Sequence, residues 1–397
     1  MNNRIKLIFG VAVVFLISYI IRVNLVVPLA LLCLWAYFDS RQLAAKSLNL
    51  MNITLLFLVI FAGAYFIIRH GQPVLYIPFS LIPMLTTLLF NNLEVSLLMT
   101  LAISISLGGI SGNFLLLPAL LSLISGVSAS ILVEGARKRT TIIRAGLIVG
   151  VIQALALLFI EHFWPGLPQR YLVLILNGIV SGIIVLGILP VFEYLFKTIT
   201  NISLLELADF NHPLLRRMIQ EAPGTYHHSL VVGNLSEAAC QAVRADALLA
   251  RIGAYYHDIG KLTKPEYFSE NQFIKMSKHD TLSPTMSKLI IMNHIKEGAE
   301  LAKKYKLNPR LADFITQHHG TSLVYYFYRR ALESLEEDQG IKEEGFRYAG
   351  PKPKTRETAI VLLADSTEAA TRALKDPTPA KIEEVVHKVI NNKFIDG

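Results

Sequence analysis

Eight apolar runs fill the first half of the chain, at about residues 5–21, 24–38, 50–68, 73–90, 94–110, 114–133, 142–163 and 171–196. Most come close to the ~20 residues a helix needs to cross ~30 Å of hydrocarbon at about 1.5 Å per residue. They are expected to be spanning helices. The first two are short and separated only by Arg22-Val23-Asn24. Fused into one helix they would reach roughly 50 Å, too long without strong tilt. The reading is therefore eight spans, or seven if that join is a single kinked helix.

Charge divides the chain at the same place. Residues 1–197 hold 12 Lys and Arg against 5 acids, and residues 198–397 hold 26 against 25. The excess of +8 is thus concentrated in loops beside membrane segments, where basic residues favour the cytoplasmic side. It is not a footprint for polymeric nucleic acid. With 53% hydrophobic and 17% charged residues, a purely cytosolic enzyme is excluded. Cys33 lies in an apolar run and Cys240 in the polar half, which leaves no disulfide framework and no thiolate-rich metal site.

The cluster Arg137, Lys138, Arg139 and Arg144 orients the bundle by placing its loop in the cytoplasm. The connection Trp164–Pro168 then falls outside, and the chain returns to the cytoplasm near Lys197. Eight spans give a cytoplasmic amino terminus and seven an external one; Arg4 and Lys6 favour the former. A signal peptide over residues 1–22 is disfavoured, because no small-residue cleavage site follows and another apolar run begins at once. Arg22, Arg69, Glu94, Glu134, Glu161 and Glu193 all sit near predicted span ends, so a transport path gains little support. An anchor or sensor is the expectation. Pro73, Pro78 and Pro83 recur every five residues in one run, consistent with a kink or with lipid-facing packing.

From Leu204 the pattern changes to amphipathic helices, with Leu204, Leu205, Leu207 and Phe210, then Leu214, Leu215, Met218 and Ile219, at three- and four-residue intervals. No comparable period-two run appears, and Pro213, Pro223, Pro284 and Pro309 punctuate the pattern. The expected fold is all-α: a polytopic membrane bundle followed by a cytoplasmic helical domain. Residues 329–357, with Glu336-Glu337-Asp338, Glu343-Glu344 and Pro351-Lys352-Pro353-Lys354, read as a charged, exposed insertion or flap.

Nine of the eleven histidines lie in the polar half, six of them at His227-His228, His257-Asp258, His294 and His318-His319. Any one doublet is a weak signal, and an isolated histidine is more often a hydrogen-bonded core or surface residue. That bland account becomes strained when all four places require it at once. His257-Asp258 emerges from the apolar stretch Ala254-Tyr255-Tyr256, and a buried charge there needs a partner. A divalent ion is the economical one, since imidazole nitrogen and carboxylate oxygen suit Fe, Mn or Zn. Asp365 adds a further carboxylate in Leu362-Leu363-Ala364-Asp365-Ser366.

Ala222-Pro223-Gly224-Thr225-Tyr226-His227-His228-Ser229, Tyr255-Tyr256-His257-Asp258-Ile259-Gly260-Lys261, His294, His318-His319-Gly320-Thr321 and Leu363-Ala364-Asp365-Ser366 closely resemble the seven-transmembrane HD-domain phosphohydrolases, a family that includes cyclic-di-AMP phosphodiesterases. The resemblance covers both halves in the same order. It implies a transmembrane bundle at 1–197, a linker helix at 198–210 and a cytoplasmic HD domain at 211–397, in a multi-pass protein of the cell membrane. It also implies that His228, His257, Asp258 and Asp365 bind one metal and His294, His318 and His319 a second, with Asp258 bridging. His227 is expected to have a packing or supporting role. Members usually carry a large extracellular domain ahead of the bundle and continue beyond the position of Gly397, so a fragment or a minimal member is expected.

A phosphodiester is anionic and repels hydroxide, so its hydrolysis needs both charge neutralisation and a nucleophile at neutral pH. Two metal ions roughly 3.5 to 4 Å apart supply both. Fe or Mn is expected, with Zn as the alternative. Lys261, three residues after Asp258 and so on nearly the same helix face, is a catalytic and phosphate-holding candidate. Thr321 and Arg372 are further substrate-binding candidates, and the competing account of both cations is a solvated surface position. Tyr267, Phe268, Tyr325, Tyr326 and Phe327 could stack purines, although aromatics at this spacing are more often core. The Gly-Tyr-Pro element of the cyclic-di-GMP branch is replaced by Thr321-Ser322-Leu323-Val324-Tyr325.

The resemblance therefore implies hydrolysis of cyclic di-AMP to linear pApA. The implied partners are a cyclic dinucleotide and membrane lipid, with a second copy of the chain as a further candidate. The alternatives are an HD phosphohydrolase for another nucleotide and a membrane receptor that binds a nucleotide without turnover.

Overall fold

The computed structural model describes residues 50–109, 115–161, 167–272, 277–333 and 341–396. Among them all regular elements are helical, apart from an isolated antiparallel bridge between Leu323 and Arg347, and the class is all-α. The apolar runs at 5–21 and 24–38 lie outside the described residues. The chain divides into two units between Ile202 and Ser203.

The first unit contains α1 (Leu50–Arg69), α2 (Leu81–Phe90), α3 (Leu93–Gly108), α4 (Leu116–Val133), α5 (Arg139–Ile160) and α6 (Pro168–Phe196). Three of these, α4, α5 and α6, are long and apolar enough to cross a membrane. The run at 73–90, expected to be a span, is broken. A 3-10 turn at Val74–Tyr76 precedes α2, whose ten residues rise only about 15 Å.

The prolines explain the break. Pro73 and Pro78 have no N–H to donate, and Ile77, directly before Pro78, is held extended at φ −67° and ψ 126°. Backbone carbonyls freed in an apolar setting need other donors. Asn177 of α6 supplies them: its Nδ2 donates to Leu75 O at 3.0 Å and to Ile77 O at 2.7 Å. Residues Leu81–Leu89 of α2 are all buried, so this helix lies inside its unit and does not face lipid. A chain of hydroxyls ties it down, from Thr87 to Ser96 at 2.7 Å and from Ser96 to Ser130 at 2.7 Å, linking α2, α3 and α4.

Helices α5 and α6 meet through small residues. Gly146 and Gly150 face Gly178 and Gly182, and a Cβ placed on Gly178 would stand 2.3 Å from Gly146 O and 2.5 Å from Gly150 N. Close backbone approach of this kind drives association where lipid is as apolar as the side chains.

The second unit comprises α7 (Asn201–Leu207, beginning just before the division), α8 (Pro213–Glu221), α9 (Pro223–Ala242), α10 (Ala247–Tyr256), α11 (Pro284–Lys304), α12 (Pro309–Gln317), α13 (Tyr325–Glu333), α14 (Arg356–Arg372) and α15 (Pro379–Asp396). The punctuating prolines prove to be helix starts: α8, α9, α11 and α12 each open on one, where the fixed φ suits the first turn and the missing N–H costs nothing. Asp246, Ser283, Asn308 and Thr355 cap α10, α11, α12 and α14 through side-chain acceptors. Helix α9 packs along α10 and α14, and α11 packs on the 3-10 turn Ile259–Thr263.

The segment expected as an exposed flap is packed in part, with Lys342, Glu344, Pro351, Lys352 and Lys354 exposed as expected. Its first residues continue α13, and Phe346 and Tyr348 are buried, Phe346 clustering with Phe327 and Ala331. Val324 N donates to Phe346 O and Tyr348 N to Ser322 O, so the strap is stitched to the chain that follows His319. The acidic triplet Glu336-Glu337-Asp338 lies outside the described residues.

Gly178→Leu should force α5 and α6 apart and cost about 1–3 kcal/mol or more. Gly187→Leu, at a position with nothing within 4 Å, should stay within about 0.5 kcal/mol of the parent. Thermal unfolding in detergent measures both; equal midpoints for the two variants would contradict this packing.

Candidate metal centre

Five segments deliver the candidate ligands to one buried place. Helix α9 brings His228, with the same face buried at Thr225, Val232 and Ser236. His227, one residue earlier, is exposed, so the packing or supporting role expected for it is not what the structure shows. Helix α10 ends at Tyr256, and His257 and Asp258 form its exit into the 3-10 turn. Gly260 lets that turn lie against α11, because a Cβ there would be 1.8 Å from His294 O. His294 comes from α11, His318 and His319 from the end of α12, and Asp365 from α14.

His228, His257, Asp258, His294, His318 and Asp365 are buried, and His319 is partly exposed. Asp258 is the hub. Its Oδ2 lies 3.2 Å from His257 Nε2 and 3.6 Å from His228 Nε2, and its Oδ1 lies 3.4 Å from His294 Nε2 and 3.5 Å from His318 Nε2. Asp365 Oδ1 is 3.1 Å from His228 Nε2, and its Oδ2 is 3.7 Å from His319 Nδ1. The ligand atoms fall into three overlapping groups, each within 4.8 Å: His294 with His318 and His319, His228 with His257 and Asp365, and His257 with Asp258 and His318.

Each buried histidine is oriented by its other nitrogen. Nδ1 of His257 faces Ala254 O at 2.6 Å, that of His294 faces Ile291 O at 2.5 Å, and that of His318 lies 3.0 Å from both Phe314 O and Ile315 O. A carbonyl only accepts, so Nδ1 carries the proton and Nε2 presents a lone pair to the centre. His228 differs: its Nδ1 donates to Glu368 Oε2 at 2.6 Å, and Arg372 donates to the other oxygen of Glu368 at 3.1 Å.

Lone pairs and carboxylates converging in a buried space repel one another unless a cation joins them. His257 Nε2 and Asp258 Oδ1 have no hydrogen-bond partner, and the Nε2 atoms of His294 and His318 stand 3.2 Å apart. Nitrogen and oxygen donors in this number suit Fe, Mn or Zn. The residues fit a metal site.

The electrostatics show the same demand for positive charge. Burial pushes His228 down, but hydrogen bonds to Asp365 and Glu368 outweigh it and carry it up to about 9. Burial would raise Asp258 and Asp365, yet His257 and Lys261 hold the first, and His228 and His319 the second, well below the carboxylate range. His294 is pushed by burial down to about 4, and burial beside His318 keeps His319 far below its ordinary value, so both offer neutral nitrogens.

Lys261, expected to hold phosphate, gives its ammonium to Asp258 Oδ2 and Glu270 Oε1, each at 2.7 Å, and lies over the Phe268 ring. Burial opposes its charge, but these two carboxylates raise its pKa. Arg372 joins the cluster through Glu368. Thr321 lines a cavity of about 300 Å³ beside His319, and Phe268 lines another of about 280 Å³ beside His294. Of the other candidate stacking residues, Phe327 is core, Tyr325 and Tyr326 are exposed, and Tyr267 lies against His279.

Sequence reasoning missed Glu368, Glu270 and Tyr348. The Asp365–Glu368 spacing of three residues puts both carboxylates on one helix face, a signal that was present. Tyr348, stacked on His319 with ring centroids 4.3 Å apart, comes from the segment read as a flap.

The model of a family described as 7TM receptor with intracellular HD hydrolase matches residues 15–200, and that of the HD domain matches residues 225–370. The chain is 45% identical over 295 residues to the cyclic-di-AMP phosphodiesterase PgpH of Bacillus subtilis (strain 168), covering 73% of this chain and 41% of that protein. It is 36% identical over 364 residues to the protein of the same name from Listeria monocytogenes serotype 1/2a (strain 10403S), covering 90% and 50%. The chain thus spans half or less of the length of these curated relatives. The crystal structure of the L. monocytogenes PgpH HD domain in complex with cyclic-di-AMP is 46% identical, covering 48% of this chain and 87% of that one, with a TM-score of 0.46.

Glu368→Ala removes the one side-chain acceptor that orients a buried ligand histidine. Metal affinity, measured by titrating Mn²⁺ into the metal-free chain, should fall roughly 10–100-fold. Unchanged affinity would show that His228 is held without it.

Proposed function

The chain belongs to the 7TM receptors with intracellular HD hydrolase, and from that premise we propose that it is a membrane-anchored, metal-dependent phosphodiesterase that hydrolyses cyclic di-AMP to linear pApA. The observation that carries this reading is the convergence of unpaired Nε2 lone pairs and two aspartates at one buried point. The names of the similar proteins supply the substrate.

His228, His257, Asp258 and Asp365 would hold one metal, and His294, His318 and His319 a second, with Asp258 shared. Two such ions, Fe or Mn with Zn as the alternative, would supply charge neutralisation at the phosphate and a nucleophile at neutral pH. The remaining tasks fall to the chain itself. Carbonyls of the preceding helical turn and Glu368 keep the ligand nitrogens aimed before substrate arrives, which limits reorganisation during reaction. Lys261 offsets the charge of Asp258 and Glu270 and keeps one N–H donor for a substrate oxygen. Tyr348 covers one face of His319.

This is a membrane protein. Arg137 and Lys138 before α5, with Arg139 and Arg144 in its first turns, support a cytoplasmic helical unit, where a soluble nucleotide would reach it. Membrane lipid is the remaining partner.

The full chain, purified in detergent and loaded with Mn²⁺ or Fe²⁺, should convert cyclic di-AMP to pApA by chromatographic assay. Chelation should stop turnover. Asp258→Ala should lower it by more than the roughly 10–100-fold that follows loss of an outer hydrogen-bond partner. A metal-replete chain that leaves cyclic di-AMP intact would favour a receptor without turnover.

A further inference from the structure

The cavity of about 300 Å³ beside His319 is walled on one side by apolar Pro353, Leu362 and Leu363 and also presents Lys352 and Lys393. Lys393 belongs to α15, beyond the stretch that matches the HD domain. Its Nζ donates to Ser322 Oγ at 2.7 Å, three residues after His319, which uses one of its three N–H donors. Asp396 also lines the cavity, but Arg347 takes both its oxygens at 2.6 and 3.0 Å and donates as well to Thr321 O at 3.0 Å. That clasp fixes the end of α15 beside the histidine loop. It also neutralises the carboxylate, so the lysines set the sign of the cavity. Burial lowers the Lys393 pKa, opposed by the pull of Asp365 and Asp396.

A cyclic dinucleotide has two phosphodiesters, and a single metal centre acts on one at a time. The other must lose water beside the protein while keeping its negative charge, which is costly without a cation. We propose that Lys393 binds the phosphate that is not being cleaved and that the Thr321–Lys393 cavity is its subsite, with the apolar wall receiving the attached nucleoside. This rests on the reading of the substrate as a cyclic dinucleotide. A charge-assisted hydrogen bond from a fixed ammonium suits a phosphodiester oxygen. On this account α15 makes a general HD centre selective for substrates with two phosphates.

The test compares the full metal-loaded chain with Lys393→Met and Lys393→Arg. The substrates are cyclic di-AMP and bis(p-nitrophenyl) phosphate, an ester with one phosphate, and metal content is measured in each preparation. The ratio of kcat/KM for the dinucleotide to that for the ester should fall roughly ten- to a hundredfold in Lys393→Met, chiefly through KM. Lys393→Arg should recover much of that ratio, with metal content equal throughout. An unchanged ratio in Lys393→Met, or an equal loss on both substrates, overturns the subsite while leaving the proposed activity standing. A parent chain that cleaves the ester but not cyclic di-AMP overturns both.

Discussion

Everything in the second unit is arranged around keeping one carboxylate, Asp258, out of water. Such burial is tolerable only with compensating charge and hydrogen bonds. Four histidines and Lys261 surround it. The requirement reaches into the backbone: Gly260 has to press against the main chain at His294, because any side chain there would separate the turn that carries Asp258 from α11. Two capped helices, α10 and α12, deliver His257, Asp258, His318 and His319 from their C-terminal ends, while His294 and Asp365 come from the middles of α11 and α14.

The ligand set was legible because each residue was chemically odd for its place. An imidazole beside a carboxylate at the end of an apolar helix is hard to account for as packing, and the structure brings all seven proposed ligands together. The preference for His228 over His227 follows from helix phase, since only His228 shares the buried face with Thr225 and Val232. Glu368 escaped notice because a glutamate one turn from the end of a helix looks like surface. Only the tertiary contact with His228, 140 residues away in sequence, gives it a task.

One segment misled outright and another in part, for one physical reason. The run at 73–90 has the composition of a span, and 329–357 has that of a solvated strap, but composition averages over positions that behave differently. In the first, two prolines remove donors and the deficit is met by Asn177, about a hundred residues on, which no local window detects. In the second, Phe346 and Tyr348 turn inward while Glu343 and Arg347 pair outside. The glycine pairs of α5 and α6 were readable as a small-residue spacing in apolar helices, yet hydropathy alone passes over them.

The carbonyls that orient His257, His294 and His318 all come from residues three positions earlier on the same helix. A main-chain oxygen is present whatever side chain occupies its position. Sequence drift at Ala254, Ile291 or Ile315 therefore leaves these three imidazoles anchored, whereas the anchor of the fourth is itself a side chain that one codon change can erase. Mutational tolerance in this pocket is thus unequal, and divergent descendants would be expected to lose the arrangement first along α9 and α14.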